Sequence, residues 1–376
     1  MAAPLGTGLR RRWLAWRNHL LASPRFQRWA ADFPPTRPIA QRRARQLFDI
    51  TAGFVYSQIL FACVRLGLLP LLAPGPRELP DLVQDLDLPA AAVLRLLKAA
   101  ASLGLVEPWP GGGYALGPQG AALLGNPGIA AMVEHHAMLY GDLADPVALL
   151  RGQGRRTDLG AYWSYAAASE PAGLGAQAVA AYTHLMSASQ SLVAGDILDA
   201  CSLAGHRRLL DVGGGDGGFV ASVAARWPQL QLRLFDLPPV AALAQARFER
   251  LGLAGRASAQ GGDMLSDPLP RGADIVSLVR VAHDHDDAAV MRLFGSIRAA
   301  LPPGGTLLLA EPMAATPGAE PMGEAYFGFY LLAMGSGRPR TPGELKAMLR
   351  EAGFQRVRLR RTRRPLLTRV LTAQVP

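Results

Sequence analysis

Cysteine is nearly absent: Cys63 and Cys201 are the only two in 376 residues. They lie far apart and in no metal-ligand spacing, which argues against a disulfide framework or a zinc site and suits a reducing cytoplasm. Acid is scarce at one end. Residues 1–46 hold ten arginines against the single carboxylate of Asp32, a local balance of +9 in a chain of net charge +10, so the basicity is largely that of an N-terminal arm. No secretory leader is legible, because "RRRWLAWRNHLLASPRF" has basic residues on both sides of short apolar pieces, and the protein is expected to stay inside the cell. Long apolar runs are lacking too. The most membrane-like stretch, "ITAGFVYSQILFACVRLGLLPLL", is interrupted by Ser57, Gln58, Arg65 and Pro70. These breaks disfavour a spanning helix and favour a buried one, with a dimer interface as one place to bury it.

What is present is apolar: 50% of the residues, which argues against wholesale disorder. The length exceeds the usual single domain, so two domains are expected. A second basic cluster, "RVRLRRTRR" from Arg356 to Arg364, has six arginines in nine residues and the alternation of a strand with one wet face. Nucleic acid or anionic lipid would answer such charge.

The chain changes character midway. Residues 47–195 read as nearly all helix, broken by "APGPRELP", "PWPGGGYALGPQG" and "RGQGRRTDLG". From residue 207, β-like runs ("RRLLDVG", "LQLRLFD", "ADIVSLV", "GTLLLAE") alternate with helical ones ("VAALAQARFERLGL", "DDAAVMRLFGSIRAAL", "TPGELKAMLREAGF"). That alternation predicts an α/β domain, a parallel sheet covered on both faces. "QRVRLRRT" and "LTRVLTAQV" have no helix between them, so one of these closing strands is expected to run antiparallel. The expected division is a basic arm (1–46), a helical domain (47–195) and the α/β domain (196–376). Within the helical part, residues 77–120 have a winged-helix pattern of helix, turn, helix and hairpin. Residues 77–107 carry three positive charges against five negative, the reverse of a phosphate-facing surface, so no nucleic-acid partner is expected.

"LLDVGGGDGGFV" follows the first strand of the α/β domain and opens a helix, with Gly213, Gly215 and Gly218 in G-x-G-x-x-G spacing. The discriminating residue is Asp211. A carboxylate at that strand end repels a pyrophosphate and attracts the ammonium and sulfonium of S-adenosylmethionine. Asp236, ending the second strand in "LFDLP", is placed to accept hydrogen bonds from two ribose hydroxyls, and Asp263 and Met264 in "GGDML" suit the adenine amino group and ring face. The plainer alternative is that Asp211 and Asp236 cap the helices that follow.

The order D-V-G-G-G-x-G, F-D-L-P, G-D-M, H-D-x-x-D over residues 47–376 resembles the S-adenosylmethionine-dependent O-methyltransferases that include plant caffeate and bacterial polyketide enzymes. The resemblance implies a Rossmann-like class I methyltransferase domain preceded by a helical winged-helix domain that dimerises and helps close the substrate site. His283, about four residues past the apolar part of "ADIVSLV", matches that family's catalytic histidine, while His285 stands where the motif has tryptophan and is expected to pack or face solvent. A metal reading needs convergent ligands, and "HDHDD" on a turn offers no regular face. Glu311 in "LLLAEPM" matches the glutamate that orients the base, but the family's second glutamate is replaced by Pro339 in "GSGRPRT", leaving one carboxylate or a different partner. Arg280 matches an arginine of bacterial members and is expected to contact the cofactor, although plant members put a lysine one residue earlier.

The acceptor site is expected to be lined by Tyr326, Phe327, Phe329, Tyr330 and Met334, by "EHHAMLY", and by Met186, which matches a family methionine. Collectively these imply a large apolar acceptor, although core packing explains each singly. The arm, "EHHAMLYGDLADPVALLRG" and "RVAHDHDD" together look like the bacterial 1-hydroxycarotenoid O-methyltransferases, which methylate a tertiary hydroxyl at a polyene end in spheroidene synthesis. A phenol or polyketide acceptor, and a winged-helix regulator with a retained cofactor fold, are the alternatives. The arm, interleaved with Trp13, Trp16, Phe26, Trp29 and Phe33, also suits peripheral contact with an anionic membrane.

Overall fold

The computed structural model describes residues 5–152, 157–163 and 176–376. Packing divides the chain into two compact units, residues 1–121 and 122–376.

The first unit opens with helices Leu5–Ala22, Pro24–Asp32 and Arg37–Arg65. The second starts where Ser23 accepts a bond from the Phe26 amide at 3.4 Å with Pro24 in the first turn, a strong start signal. The third runs unbroken through residue 46, so the border expected between arm and helical domain falls inside one helix. It ends at Arg65, and Gly67 turns the chain at φ 66°. Within a single copy of the chain Leu47, Phe48, Ile50 and Phe54 are exposed and only Cys63 near the end is buried, so the burial expected of this helix would have to come from a dimer interface. Ser57 and Gln58 lie inside this helix without ending it, and it is the one among the described residues long and apolar enough to cross a membrane.

Beyond it, β1 (Arg77–Glu78), helices Leu79–Leu86 and Ala90–Ser102, β2 (Val106–Trp109) and β3 (Gly113–Leu116) form the helix-turn-helix and hairpin read from the sequence. The strands pair antiparallel in the order β1-β3-β2. Val93, Leu97 and Ala100, at helical spacing, face this small core.

The second unit is built on β4 (Arg208–Val212), β5 (Gln231–Asp236), β6 (Ala257–Gly261), β7 (Ile275–Val279), β8 (Thr306–Glu311), β9 (Gln355–Arg360) and β10 (Arg369–Gln374). Their order is β6-β5-β4-β7-β8-β10-β9, with β10 antiparallel to both neighbours, as the missing helix between the two closing strands implied. Alternate residues feed two cores: Leu307 and Leu309 meet Leu293, Phe294 and Leu349 on one face, and Leu308 and Ala310 join the side holding Phe219, Phe248 and Ile197. Ile197 belongs to helix Ala176–Ala200, so that helix, with Pro127–Asp142 packed along it, is part of the α/β unit. The border expected at residue 195 therefore falls at 121, because the apolar faces of these helices are satisfied by the sheet side.

The parallel strands end at one edge, and the order reverses between β4 and β7. Chains leaving those two strands diverge there and open a crevice.

Candidate active site

The crevice gathers most of the residues singled out from the sequence. Its lining includes Asp211, Gly213, Gly215, Asp236, Asp263, Met264, Arg280 and Met186. Gly213, Gly215 and Gly217 have φ of 66°, 60° and 83°, left-handed values that let the loop after β4 fold back over the strand end. A Cβ at Gly213 would meet Val281 at 2.7 Å, whereas one at Gly215 would meet nothing within 4 Å. Gly213 allows close packing, and Gly215 keeps the crevice open.

The acids divide in role. Asp211 is 1% exposed; one oxygen accepts the Ser277 hydroxyl at 2.6 Å, and the other is buried with no hydrogen-bond partner. Burial pushes its pKa up to about 7, against the pull of Ser277 and with the push of Asp236. Asp236 accepts the Gly215 amide at 2.8 Å and the Leu237 amide at 2.7 Å, and burial raises it to about 6. Its carboxylate thus fixes the glycine loop and keeps a lone pair free on each oxygen. Asp263 accepts the Leu265 amide at 2.9 Å and the Ser266 hydroxyl at 3.0 Å, so it also caps its own turn.

After β7 the chain makes a short 3-10 turn, Ala282–Asp284, that carries the candidate base. Glu311, 2% exposed at the end of β8, accepts the amides of Val281 (3.2 Å), Ala282 (2.8 Å) and His283 (3.2 Å), and is bonded to His283 Nδ1. On the other side of the ring, Asp284 Oδ1 lies 3.2 Å from Nε2. Burial alone would lower the His283 pKa, but Asp284 and Glu311 outweigh it and raise it above that of a free imidazole. Glu311, despite burial, is held below the usual carboxylate range by His283 and the amides. His285 is buried, and burial lowers its pKa, so the two histidines of the turn hold their protons differently.

Beside the turn stands an aromatic group. Phe327 sits edge-on to His283 with centroids 5.7 Å apart and touches Tyr326 at 5.0 Å. The Tyr326 hydroxyl bonds His136 at 2.8 Å; that of Tyr330 bonds His135 at 2.7 Å and accepts the Trp163 indole N–H at 2.8 Å. Arg280, at φ 59°, places its guanidinium 3.3 Å from Met186 Sδ. Tyr330 and Met334 are 6% and 2% exposed and belong to the core, so they support the wall from behind; Phe329 is half-buried.

The O-methyltransferase domain family matches residues 140–355, more than half of the chain, and the O-methyltransferase dimerisation domain matches residues 48–126. The chain belongs to the O-methyltransferase family. It is 43% identical over 363 residues to demethylspheroidene O-methyltransferase of Cereibacter sphaeroides, covering 95% of this chain and 94% of that one. It is 32% identical to acetylserotonin O-methyltransferase of Mus musculus, covering 86% and 87%. Among solved structures, human N-acetylserotonin methyltransferase in complex with SAM superposes with a TM-score of 0.71 at 25% identity, over 89% of this chain and 97% of that one. The mitomycin 7-O-methyltransferase MmcR gives 0.74 at 26%, over 90% and 100%.

An O-methyltransferase of this family takes S-adenosylmethionine, and the crevice fits it. Among the described residues the lining has five aspartates (Asp211, Asp216, Asp236, Asp263, Asp284) against one arginine, and one buried carboxylate oxygen, of Asp211, lacks a hydrogen-bond partner. That charge suits a cation and opposes a pyrophosphate. The exposed apolar residues Phe48, Ile50, Phe54 and Val55 fall inside the dimerisation-domain match, where a second copy would cover them.

Sequence reasoning missed four parts of this O-methyltransferase site. Ser277 and Trp163 are single polar groups in apolar or aromatic runs and carry no spacing signal. Asp284 was readable, since it follows His283 directly. Arg340, 2% exposed and bonded to the carbonyls of Ala282 and His285, sits in the "GSGRPRT" segment, noted there only for its missing glutamate.

Proposed function

We propose that this enzyme transfers the methyl group of S-adenosylmethionine to the tertiary 1-hydroxyl of an acyclic carotenoid, as a homodimer held loosely at the cytoplasmic membrane face. The observation that carries the acceptor is the 43% identity to demethylspheroidene O-methyltransferase across nearly the whole chain. The aromatic wall beside His283 supports an apolar acceptor.

When bound, the cofactor supplies an electrophilic methyl on a sulfonium. Asp236 would hold the ribose diol on its free lone pairs, Asp263 and Met264 the adenine, and Asp211 and the loop of Gly213 and Gly215 the positive end, with Arg280 steadied on Met186 beside them. His283 is the base. Glu311 fixes its Nδ1–H tautomer, leaving Nε2 to take the acceptor proton where Asp284 now approaches. A tertiary alcohol is a far weaker acid than a phenol, so proton removal accompanies methyl transfer or follows it. The two carboxylates that raise the His283 pKa make it a stronger base for that proton once it is neutral, and they hold the imidazolium that results.

The alternative acceptor, a phenolic or polyketide hydroxyl, is favoured by the 32% identity to acetylserotonin O-methyltransferase. Purified enzyme given labelled S-adenosylmethionine and pigment extract from a methylation-blocked phototroph decides between them. Label in a 1-methoxy carotenoid supports the proposal; label only in added phenols supports the alternative.

A further inference from the structure

The turn that carries His283 lies between β7 and helix Asp287–Ala300, outside any regular backbone ladder. The four successive carbonyls Ala282–His285 are all bonded by the segment Ser336–Arg340. Arg340 donates from Nη1 to Ala282 O at 2.8 Å and from Nη2 to His285 O at 2.7 Å, the Arg338 amide donates to His283 O at 3.0 Å, and Ser336 Oγ donates to Asp284 O at 2.9 Å. Gly337, at φ 79°, lies so close that a Cβ there would strike His283 O. Arg340 is 2% exposed, and its Nε bonds Asp287 Oδ1 at 2.9 Å, with Nη2 2.7 Å from the same oxygen. A planar guanidinium can span two carbonyls three residues apart while gripping a carboxylate; an ammonium cannot.

We propose that Arg340 is a positioning residue for the base: by clamping both ends of the Ala282–His285 turn, it keeps the His283 ring between Glu311 and Asp284. In this chain it does through the backbone what a second carboxylate at position 339 would do through the ring. The inference rests on His283 being the base. The groups facing His283 are Glu311 at the end of β8, Asp284 and His285 of the turn itself and Arg280 just after β7; Phe327 adds an uncharged edge. With the turn loosened, the ring drifts from its two carboxylates and its pKa falls toward that of free imidazole.

The test uses the full-length enzyme with ¹⁵N-labelled histidine, the His283 resonances being assigned by their loss in His283→Ala. The His283 pKa is read by NMR titration, cofactor affinity by calorimetry, and turnover with the hydroxycarotenoid extract. Arg340→Lys is expected to lower the His283 pKa and cut kcat by about 10²-fold, with cofactor affinity changed by less than about threefold. Ser336→Ala, which removes one carbonyl bond at the same turn, should move the pKa the same way by less, and it serves if Arg340→Lys does not fold. An unmoved His283 pKa in every folded variant overturns the clamp. Full activity in His283→Ala overturns the base assignment instead, whatever the titration gives.

Discussion

At the scale of single residues, the site sets two titrations against each other. Asp211 and Asp236 are pushed up by burial to about 7 and about 6, so in the free enzyme they hold protons that the unfolded chain has already released. The folded state therefore binds more protons in that window, and their contribution to stability falls as pH rises through it. A cationic cofactor needs the charged carboxylates, so its affinity is expected to rise from about pH 5 to about pH 8. Calorimetry in buffers of different ionisation enthalpy should show proton release on binding, and a flat profile would remove the two aspartates from the cofactor site. Asp236→Ala should cost about 1–3 kcal/mol of cofactor binding by leaving a hydroxyl pair unmatched, and NAD should not bind at all. His283 has its pKa raised by Asp284 and Glu311 against the effect of burial, so the rate limb due to the base should lie above the free-imidazole value and move down in Glu311→Gln. His283→Ala should lose about 10²- to 10⁴-fold in turnover with cofactor affinity kept. His285→Ala should do much less; equal losses would reverse the assignment of the base.

At the scale of elements, the glycine loop shows what spacing can and cannot tell. Gly215 and Gly217 share a left-handed backbone, but a Cβ on Gly217 would reach Phe248 at 2.6 Å while one on Gly215 meets open crevice. Gly217→Ala is expected to destabilise the fold by more than Gly215→Ala, each paying roughly 1–2 kcal/mol for the left-handed residue, while Gly215→Ala should weaken cofactor binding more. Denaturant melts paired with calorimetry separate the two, and equal stability losses would mean that the Phe248 contact yields freely. Strands with apolar runs, the lone antiparallel strand and the acids at strand ends were legible because period and turn chemistry are local. What stayed illegible is non-local. Nothing in "GSGRPRT" says that its carbonyl partners lie over fifty residues earlier, and nothing in "VSLV" says that Ser277 bonds Asp211. What covers helix Arg37–Arg65 was illegible for the same reason, since hydropathy reports what a surface avoids and not what covers it.

At the scale of the whole molecule, the proposed acceptor poses a problem of transport, because a long polyene dissolves in lipid and an O-methyltransferase does not need to. The arm answers it by charge and by aromatic residues together. Trp13, Trp16 and Trp29 are 53%, 61% and 52% exposed in helices Leu5–Ala22 and Pro24–Asp32, among the arginines that give residues 1–46 their +9 balance. Exposed tryptophans beside cations are costly in water and suited to the headgroup layer. Each basic residue near an anionic surface contributes about 1 kcal/mol, screened by salt, so a few in contact would localise the enzyme reversibly. Sedimentation with vesicles, for the full chain and for a variant lacking residues 1–46, checks this. Binding is expected to anionic but not neutral vesicles, to weaken with added salt, and to be lost without the arm. Salt-insensitive binding, or equal binding by the truncated variant, would place the contact elsewhere. The exposed residues Phe48, Ile50 and Phe54 lie beyond the deletion, so the truncated variant also reports whether that part of the helix meets lipid or a second copy of the chain.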